Sequence, residues 1–178
     1  MNRNRLAEYL THVVGMFAVM WFSGQAAIEL PGLSVPITLQ SLAVMVLPLL
    51  FGQATIVGLF MWLIAGITGM PVFAGGAQGV EVIFGNSGGY IIGFLVVAYL
   101  ASLYKNWALK KPIARGIIIF IGLQLLLILI GLSWIRVGQY SEITMETHVL
   151  PYVPGLLIKS AVGAAILFGV QRIKPNWI

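Results

Sequence analysis

The residue with the clearest chemical potential is Lys159, which lies within an apolar segment near the end of the chain. A charge inside a membrane-spanning segment is costly and therefore indicates function by default. Lys159 follows Pro154 by five residues, which is about 7 Å along a helix. One interpretation is a cation that binds the carboxylate of an anionic ligand. The alternative is a lysine whose long side chain extends to the outer lipid headgroups.

Uncharged polar side chains are candidates at the same level of the membrane. Thr38 and Gln40 open the second apolar segment, where they are able to hydrogen-bond a ligand or neighbouring backbone. Tyr90 offers a phenol and a ring to a pocket, although core packing is an equally good interpretation. For Gln124, within the fifth segment, we favour a hydrogen bond between helices over a ligand contact.

A glycine-rich stretch over residues 70–90 separates two apolar segments and contains six glycines. A loop of about twenty residues is uncommon in a compact chain and is usually functional or disordered. Its many apolar residues argue against disorder, since disordered linkers are polar. We therefore predict an ordered lid or pocket wall, the alternative being a connector that only packs between helices.

Four residues of this stretch are candidate ligand contacts: Phe73, Gln78, Glu81 and Asn86. Glu81 is otherwise a solvated loop acid. Asn86 and Ser87 directly precede the fourth segment, where such residues often cap a helix. Capping is the preferred interpretation for Ser87.

Several classes of function are excluded by what the sequence lacks. It has no Cys and no Asp, and its two histidines, His12 and His148, cannot form a metal site alone. It also has no G-x-S-x-G, H-E-x-x-H or P-loop motif. We therefore predict no catalytic residues, no metal and no cofactor, so that the chain is not an enzyme. Any active uptake would need energy from a partner protein.

The composition indicates an all-α integral membrane protein. Of 178 residues, 60% are hydrophobic and only 8% are charged, whereas soluble domains have about 25% charged residues. Six apolar segments are long enough to cross a bilayer when their polar ends reach the interface. They cover residues 11–27, 36–50, 54–68, 88–104, 112–134 and 154–170, and we expect a single domain over 1–178. A cleaved signal peptide is the alternative for the first segment.

Small residues predict where two of these helices pack closely. Gly89 and Gly93 are four residues apart in the fourth segment, a spacing that permits close helix contact. Ala161, Ala165 and Gly169 repeat the same spacing in the sixth segment, and we predict that they also form a packing face. Trp134 and Tyr152 are interpreted as anchors at the membrane interface rather than ligand contacts.

The charges predict the orientation in the membrane. With both termini in the cytoplasm, the inner side holds nearly all basic residues, including a predicted basic loop. These are Arg3, Arg5, Lys105, Lys110, Lys111, Arg115, Arg172 and Lys174, opposed only by Glu8. Glu29, Glu81, Glu142 and Glu146 fall outside, together with Arg136. The net charge of +5 thus reports topology rather than nucleic-acid binding, and the glycine-rich loop is predicted to be extracytoplasmic, between helices 3 and 4.

Four stretches together resemble the BioY family, the biotin-binding S components of energy-coupling-factor (ECF) vitamin transporters. Residues 35–42 (VPITLQSL) resemble the start of the family's second helix, and residues 66–76 (GITGMPVFAGG) the exit of its third. Residues 85–94 (GNSGGYIIGF) are similar to its G-P-T-G-G-Y-x-x-G-F signature, and residues 150–159 (LPYVPGLLIK) to its P-x-x-P-G-D-x-x-K run. The resemblance implies six helices, cytoplasmic termini and an outward-facing vitamin pocket.

The sequence departs from the family pattern in three places. Leu156 stands where the family has Asp, a residue that the resemblance implies would accept hydrogen bonds from the ureido N–H groups of biotin. Losing a charge-assisted hydrogen bond costs roughly 1.5–3 kcal/mol, or about 10- to 150-fold in affinity. Asn86 replaces a Pro, and helix one has no clean copy of the Ala-x-x-x-Ala face on which the coupling subunit docks. We hypothesise that Glu81 supplies the missing carboxylate, which an unchanged affinity in Glu81→Gln would contradict.

The sequence therefore predicts a multi-pass plasma-membrane protein that binds biotin in an outward-facing pocket, as the S component of an ECF-type transporter. Lys159 would bind the carboxylate, Thr38, Gln40 and Glu81 would hydrogen-bond the polar ring, and Tyr90 would form part of the pocket wall. The expected partners are biotin, the lipid bilayer, and an ECF module made of a coupling subunit and two ATPases. The alternatives are uptake of another small carboxylated molecule and a scaffold subunit that binds no small ligand.

Overall fold

The computed structural model describes residues 2–28, 35–139 and 149–173. Within these ranges the chain is helical, with two short 3-10 turns in the glycine-rich loop. The α-helices are α1 (Arg3–Gln25), α2 (Gln40–Phe51), α3 (Ala54–Ile67), α4 (Gly88–Leu103), α5 (Lys105–Lys110), α6 (Pro112–Gly138) and α7 (Tyr152–Ile173).

Three of the described helices are long and apolar enough to cross a membrane, namely α1, α6 and α7. Three others, α2, α3 and α4, are apolar but shorter, with 12, 14 and 16 residues. The protein is therefore an all-helical membrane protein in which long and short apolar helices are combined. Five residues with predicted locations lie outside the described ranges. They are the acids Glu29, Glu142 and Glu146, which were predicted to be extracytoplasmic, and His148 and Lys174.

Two helix starts differ from the sequence-based boundaries. Helix α1 begins at Arg3 rather than near residue 11, because its polar first turns continue the same helix. Helix α2 begins only at Gln40. Before it, Ile37 pairs with Ile28 through two backbone hydrogen bonds of 2.9 and 3.0 Å, and Pro36, which has no N–H, favours this extended path. The backbone of Thr38 therefore lies outside the helix.

The predicted basic loop is wrong in its local structure. Lys105 begins the short helix α5, which ends at Lys110, and Arg115 lies in the first turns of α6. The Arg115 guanidinium lies 4.9 Å from the centre of the Trp107 ring and donates to the Trp107 carbonyl oxygen. These contacts link α5 to α6, so that three of the four basic residues lie in helices and only Lys111 lies between them.

The predicted packing face on α4 is confirmed, whereas the one on α7 is wrong. Any side chain at Gly89 would collide with Trp134 on α6, and one at Gly93 with Leu127 on the same helix. On α7, Ala161 and Ala165 are exposed, and nothing lies within 4 Å of a Cβ built at Gly169. The buried face of α7 consists instead of Leu156, Ser160, Gly163, Ala164 and Leu167. Spacing alone reveals a row of small residues, but it does not reveal which way the row points.

The glycine-rich stretch is ordered by contacts with the helices on both sides. The carbonyl oxygen of Val72 accepts hydrogen bonds from Trp62 Nε1 at 2.9 Å and from Gln40 Nε2 at 3.2 Å. Further along, Trp134 Nε1 donates to the carbonyl oxygen of Gly85 at 3.1 Å. Positive φ angles at Gly75, Gly76 and Gly79 let the backbone make its tight turns, which glycine adopts without steric cost.

Candidate functional site

A cavity of about 290 Å³ lies where the glycine-rich loop meets the ends of several helices. It is lined by residues 35–38, the start of α2, the loop, the start of α4, the middle of α6 and the start of α7. Its volume lies just below the range of about 300–1,000 Å³ that is usual for small-molecule sites, and its mainly apolar lining with a few polar groups is typical of them. The predicted pocket wall is thus formed, with Phe73, Ala74, Ala77 and Val82 contributed by the loop.

Lys159 is the only charged side chain among the described residues that line the cavity. Its Nζ donates to the carbonyl oxygen of Thr38 at 2.9 Å and to Ser41 Oγ at 2.8 Å. An ammonium group has three N–H donors, so one remains for a ligand. The side chain therefore crosses to the start of α2 and does not extend along α7 toward lipid headgroups.

Thr38 and Gln40 both line the cavity, but each uses its polar atoms in a specific way. Thr38 holds Lys159 through its backbone oxygen, which is available because α2 begins two residues later. Gln40 is only 3% exposed, and its Nε2 donates to the carbonyl oxygens of Met20 and Val72. Both N–H bonds of its amide are thereby used, so that only its oxygen is left for a ligand.

Aromatic side chains form one wall of the cavity. Trp62, Phe73 and Phe94 form a cluster, with ring centroids 5.1 Å apart between Trp62 and Phe73 and 6.1 Å apart between Trp62 and Phe94. Tyr90 lies beside Tyr152, with ring centroids 6.2 Å apart. The buried hydroxyl of Tyr90 has no hydrogen-bond partner in the described part of the chain. The hydroxyl of Tyr152, which also lines the cavity, lies close enough to interact with it.

The other three candidates from the glycine-rich stretch are not part of the cavity lining. Gln78 and Glu81 are exposed, and the Glu81 carboxylate lies over the Cα of Gly79. Asn86 is partly buried, and its Oδ1 lacks a hydrogen-bond partner among the described residues. The cavity as described is thus built without these three side chains, and their contact with a ligand stays a prediction.

The sequence reasoning missed most lining residues as contacts, among them four with polar side chains: Ser41, Tyr152, Ser87 and Gln124. Ser41 holds Lys159, and Tyr152 donates from its hydroxyl to the Val35 carbonyl oxygen at 3.0 Å rather than serving only as an interface anchor. Ser87 occupies the N-cap position of α4, as predicted, but its side chain makes no capping hydrogen bond, and the residue also lines the cavity.

The fourth is Gln124, for which the predicted hydrogen bond between helices is confirmed. Its Nε2 donates to Ser160 Oγ at 2.8 Å and to the Leu156 carbonyl oxygen at 3.1 Å. Gln124 also lines the cavity beside Leu156. The only signal available in the sequence was a single strongly polar residue in the most apolar segment.

Chemically, the arrangement suits binding rather than catalysis. The cavity offers one cation, several hydroxyl and amide groups, and aromatic and aliphatic walls. In the described ranges, no group of three or more His, Cys, Asp or Glu residues is placed to hold a metal ion. A small amphipathic anion fits such a lining.

Comparisons with known proteins agree with this fold. A biotin transporter of Lactococcus lactis subsp. cremoris is 33% identical over 143 residues, which cover 79% of this chain and 77% of the relative. A biotin transporter of Rhodobacter capsulatus is 28% identical over 180 residues, which cover 92% and 94%. The crystal structure of the S-component for biotin from an ECF-type ABC transporter superposes with a TM-score of 0.84 over 97% of this chain and 95% of that one. At 24% identity, this likeness supports the fold alone.

A family profile gives the broadest match. The profile of the BioY family covers residues 1–176, which is nearly the whole chain. We conclude that this chain belongs to the BioY family.

Proposed function

We propose that this protein is the substrate-binding S component of an ECF-type transporter and that its ligand is biotin. The observation that carries the proposal is the cavity, in which Lys159 is the one charged lining residue within the described ranges, in a chain of the BioY family. The relatives in that family are transporters of biotin, and the protein is accordingly a multi-pass membrane transporter component rather than an enzyme.

The ligand carboxylate would bind the remaining N–H of Lys159. In a site shielded from water, an ammonium without an anionic partner is unfavourable, and none of the described residues that line the cavity has a carboxylate. An anionic ligand therefore supplies the charge that the site lacks. The fused rings of biotin would lie against the aromatic cluster, and its ureido group would meet the polar side chains of the lining.

The membrane orientation completes the proposal. The helices would form six spans of a single domain, the shorter helices being extended by the segments that flank them, with both termini in the cytoplasm. Arg3, Arg5, Lys105, Lys110 and Lys111 would then lie on the inner side, as the positive-inside rule expects. The cavity and the glycine-rich loop would lie at the opposite, outer side, where Lys159 is reached from outside the cell.

Transport against a gradient needs a partner, because the sequence has no nucleotide-binding P-loop. An ECF module, with a transmembrane coupling subunit and two ATPases, would supply the energy. The S component would contribute ligand recognition and would dock to the coupling subunit within the membrane.

Isothermal calorimetry on the purified protein in detergent tests the proposal directly, with biotin and its uncharged methyl ester as the two ligands. We expect biotin to bind and the ester to bind more weakly, since the ester cannot pair with the ammonium group of Lys159. Absence of biotin binding would overturn the assignment.

A different small carboxylated molecule is the second candidate ligand, favoured by Leu156 at a position where the family pattern has Asp. Its test is the same titration with the variant Leu156→Asp. Biotin binding that appears only in this variant would mean that the fold is retained while the natural ligand has changed.

A further inference from the structure

A buried amide on α6 occupies the corner of the cavity next to Leu156. Gln124 is 6% exposed and lies among the lining residues together with Leu127 and Ile128 of the same helix. Its amide links α6 to α7 by the hydrogen bonds to Leu156 and Ser160. The side chain is therefore fixed in position before a ligand enters.

These hydrogen bonds also determine which end of the amide faces the cavity. Two partners, the carbonyl oxygens of Leu156 and Phe120, can only accept hydrogen bonds. They must therefore be bonded by the amide nitrogen, which rules out the flipped orientation. The amide oxygen accepts no hydrogen bond in the described part of the chain. It is not completely buried, because the fully buried side-chain atoms without a partner do not include it. It is thus a free acceptor open to the cavity.

We infer that Gln124 Oε1 is the acceptor for the N–H groups of the ligand's polar ring and replaces the carboxylate that is absent at position 156. The inference rests on the proposed function, and it identifies the residue that sets preference for ligands with N–H donors. Gln124 lies beside the Leu156 backbone, so its oxygen serves the same corner of the cavity as a side chain at 156 would. The lining then has a cation for the carboxylate at Lys159 and a neutral acceptor for the ring.

The test is a set of calorimetric titrations with biotin. Methionine is close to glutamine in size and flexibility but lacks the oxygen acceptor, so Gln124→Met should weaken binding about 10-fold, which is 1.4 kcal/mol. Leu156→Asp in the Gln124→Met background should restore most of the lost affinity, because the carboxylate replaces the missing acceptor. Two changes that serve one interaction are expected to be non-additive.

Ser160→Ala is the matched control. It removes the 2.8 Å hydrogen bond of the amide nitrogen but keeps the amide oxygen and the hydrogen bonds to the carbonyl oxygens of Leu156 and Phe120, and it should weaken biotin binding clearly less than Gln124→Met does. If Gln124→Met does not yield folded protein, Gln124→Asn withdraws the oxygen by one methylene and should show the same loss.

Three results would overturn the inference. One is an unchanged affinity in Gln124→Met, another is an equal loss in Ser160→Ala, and the third is a failure of Leu156→Asp to restore binding. Each of these requires that the unmodified protein binds biotin. If the unmodified protein does not bind it, the proposed function fails first, and the inference fails with it.

Discussion

Replacing Lys159 by methionine removes the charge while keeping a flexible apolar side chain of similar length. In the structure, the ammonium donates to Thr38 O at 2.9 Å and Ser41 Oγ at 2.8 Å, which leaves one N–H for a ligand carboxylate. A hydrogen bond to a charged group contributes roughly 1.5–3 kcal/mol. We therefore expect Lys159→Met to weaken biotin binding by about 10- to 150-fold.

The neutral methyl ester of biotin separates the charge effect from any change in the shape of the cavity. In the unmodified protein, calorimetry should give a clear preference for biotin over the ester. In Lys159→Met this preference should disappear, because neither ligand meets a cation. The thermal midpoint measured without ligand reports separately on the two hydrogen bonds that the variant loses within the protein.

The reasoning would be refuted if Lys159→Met kept the preference for biotin over its ester. That result would mean that both ligands lose affinity equally, and Lys159 would then be only a structural link between α7 and the start of α2. A scaffold subunit without a small ligand would tolerate the substitution altogether.

Three further predictions concern residues in and around the cavity. Gly131→Ala should lower the free energy of unfolding by about 1–3 kcal/mol in a thermal unfolding assay, because its methyl group would collide with the ring of Tyr90 on α4. Gly122→Ala is the control on the same helix. It should show no loss, because nothing lies within 4 Å of a Cβ at this position. Glu81→Gln should leave biotin affinity unchanged in calorimetry, because Glu81 is exposed and outside the lining, and a marked loss would instead support the hypothesis that its carboxylate reaches the ligand. Trp62→Phe should cost about 1–3 kcal/mol of unfolding free energy, since the indole N–H holds the loop carbonyl of Val72; an unchanged thermal midpoint would show that this anchor is dispensable.

The sequence by itself determined the class of protein and most of its helices. Long apolar runs require a membrane, and the polar interruptions between them marked the helix ends, because hydropathy acts through local composition. The boundaries of α3 and α4 were predicted within one residue of the structure. Lys159 was also identified from the sequence alone, since a charge in an apolar run is conspicuous.

Helix starts at the edges of apolar runs were less predictable. Polar residues at the start of α1 continue the helix, and an extended pairing of Ile28 with Ile37 delays α2. Neither effect changes the local hydropathy on which the prediction relied. The same limit explains the wrong packing face on α7, where small residues are spaced correctly but point outward.

Only the tertiary structure decided how the site is assembled. Lys159 bonds to Thr38 and Ser41 across 121 and 118 residues of sequence, and Gln124 reaches Leu156 and Ser160 on another helix. Such contacts depend on the rotation of each helix about its axis and on the loop that packs above them, which no local pattern encodes. The cation could therefore be identified from the sequence, but the amide oxygen that faces the same cavity became visible only once α6 and α7 were packed together.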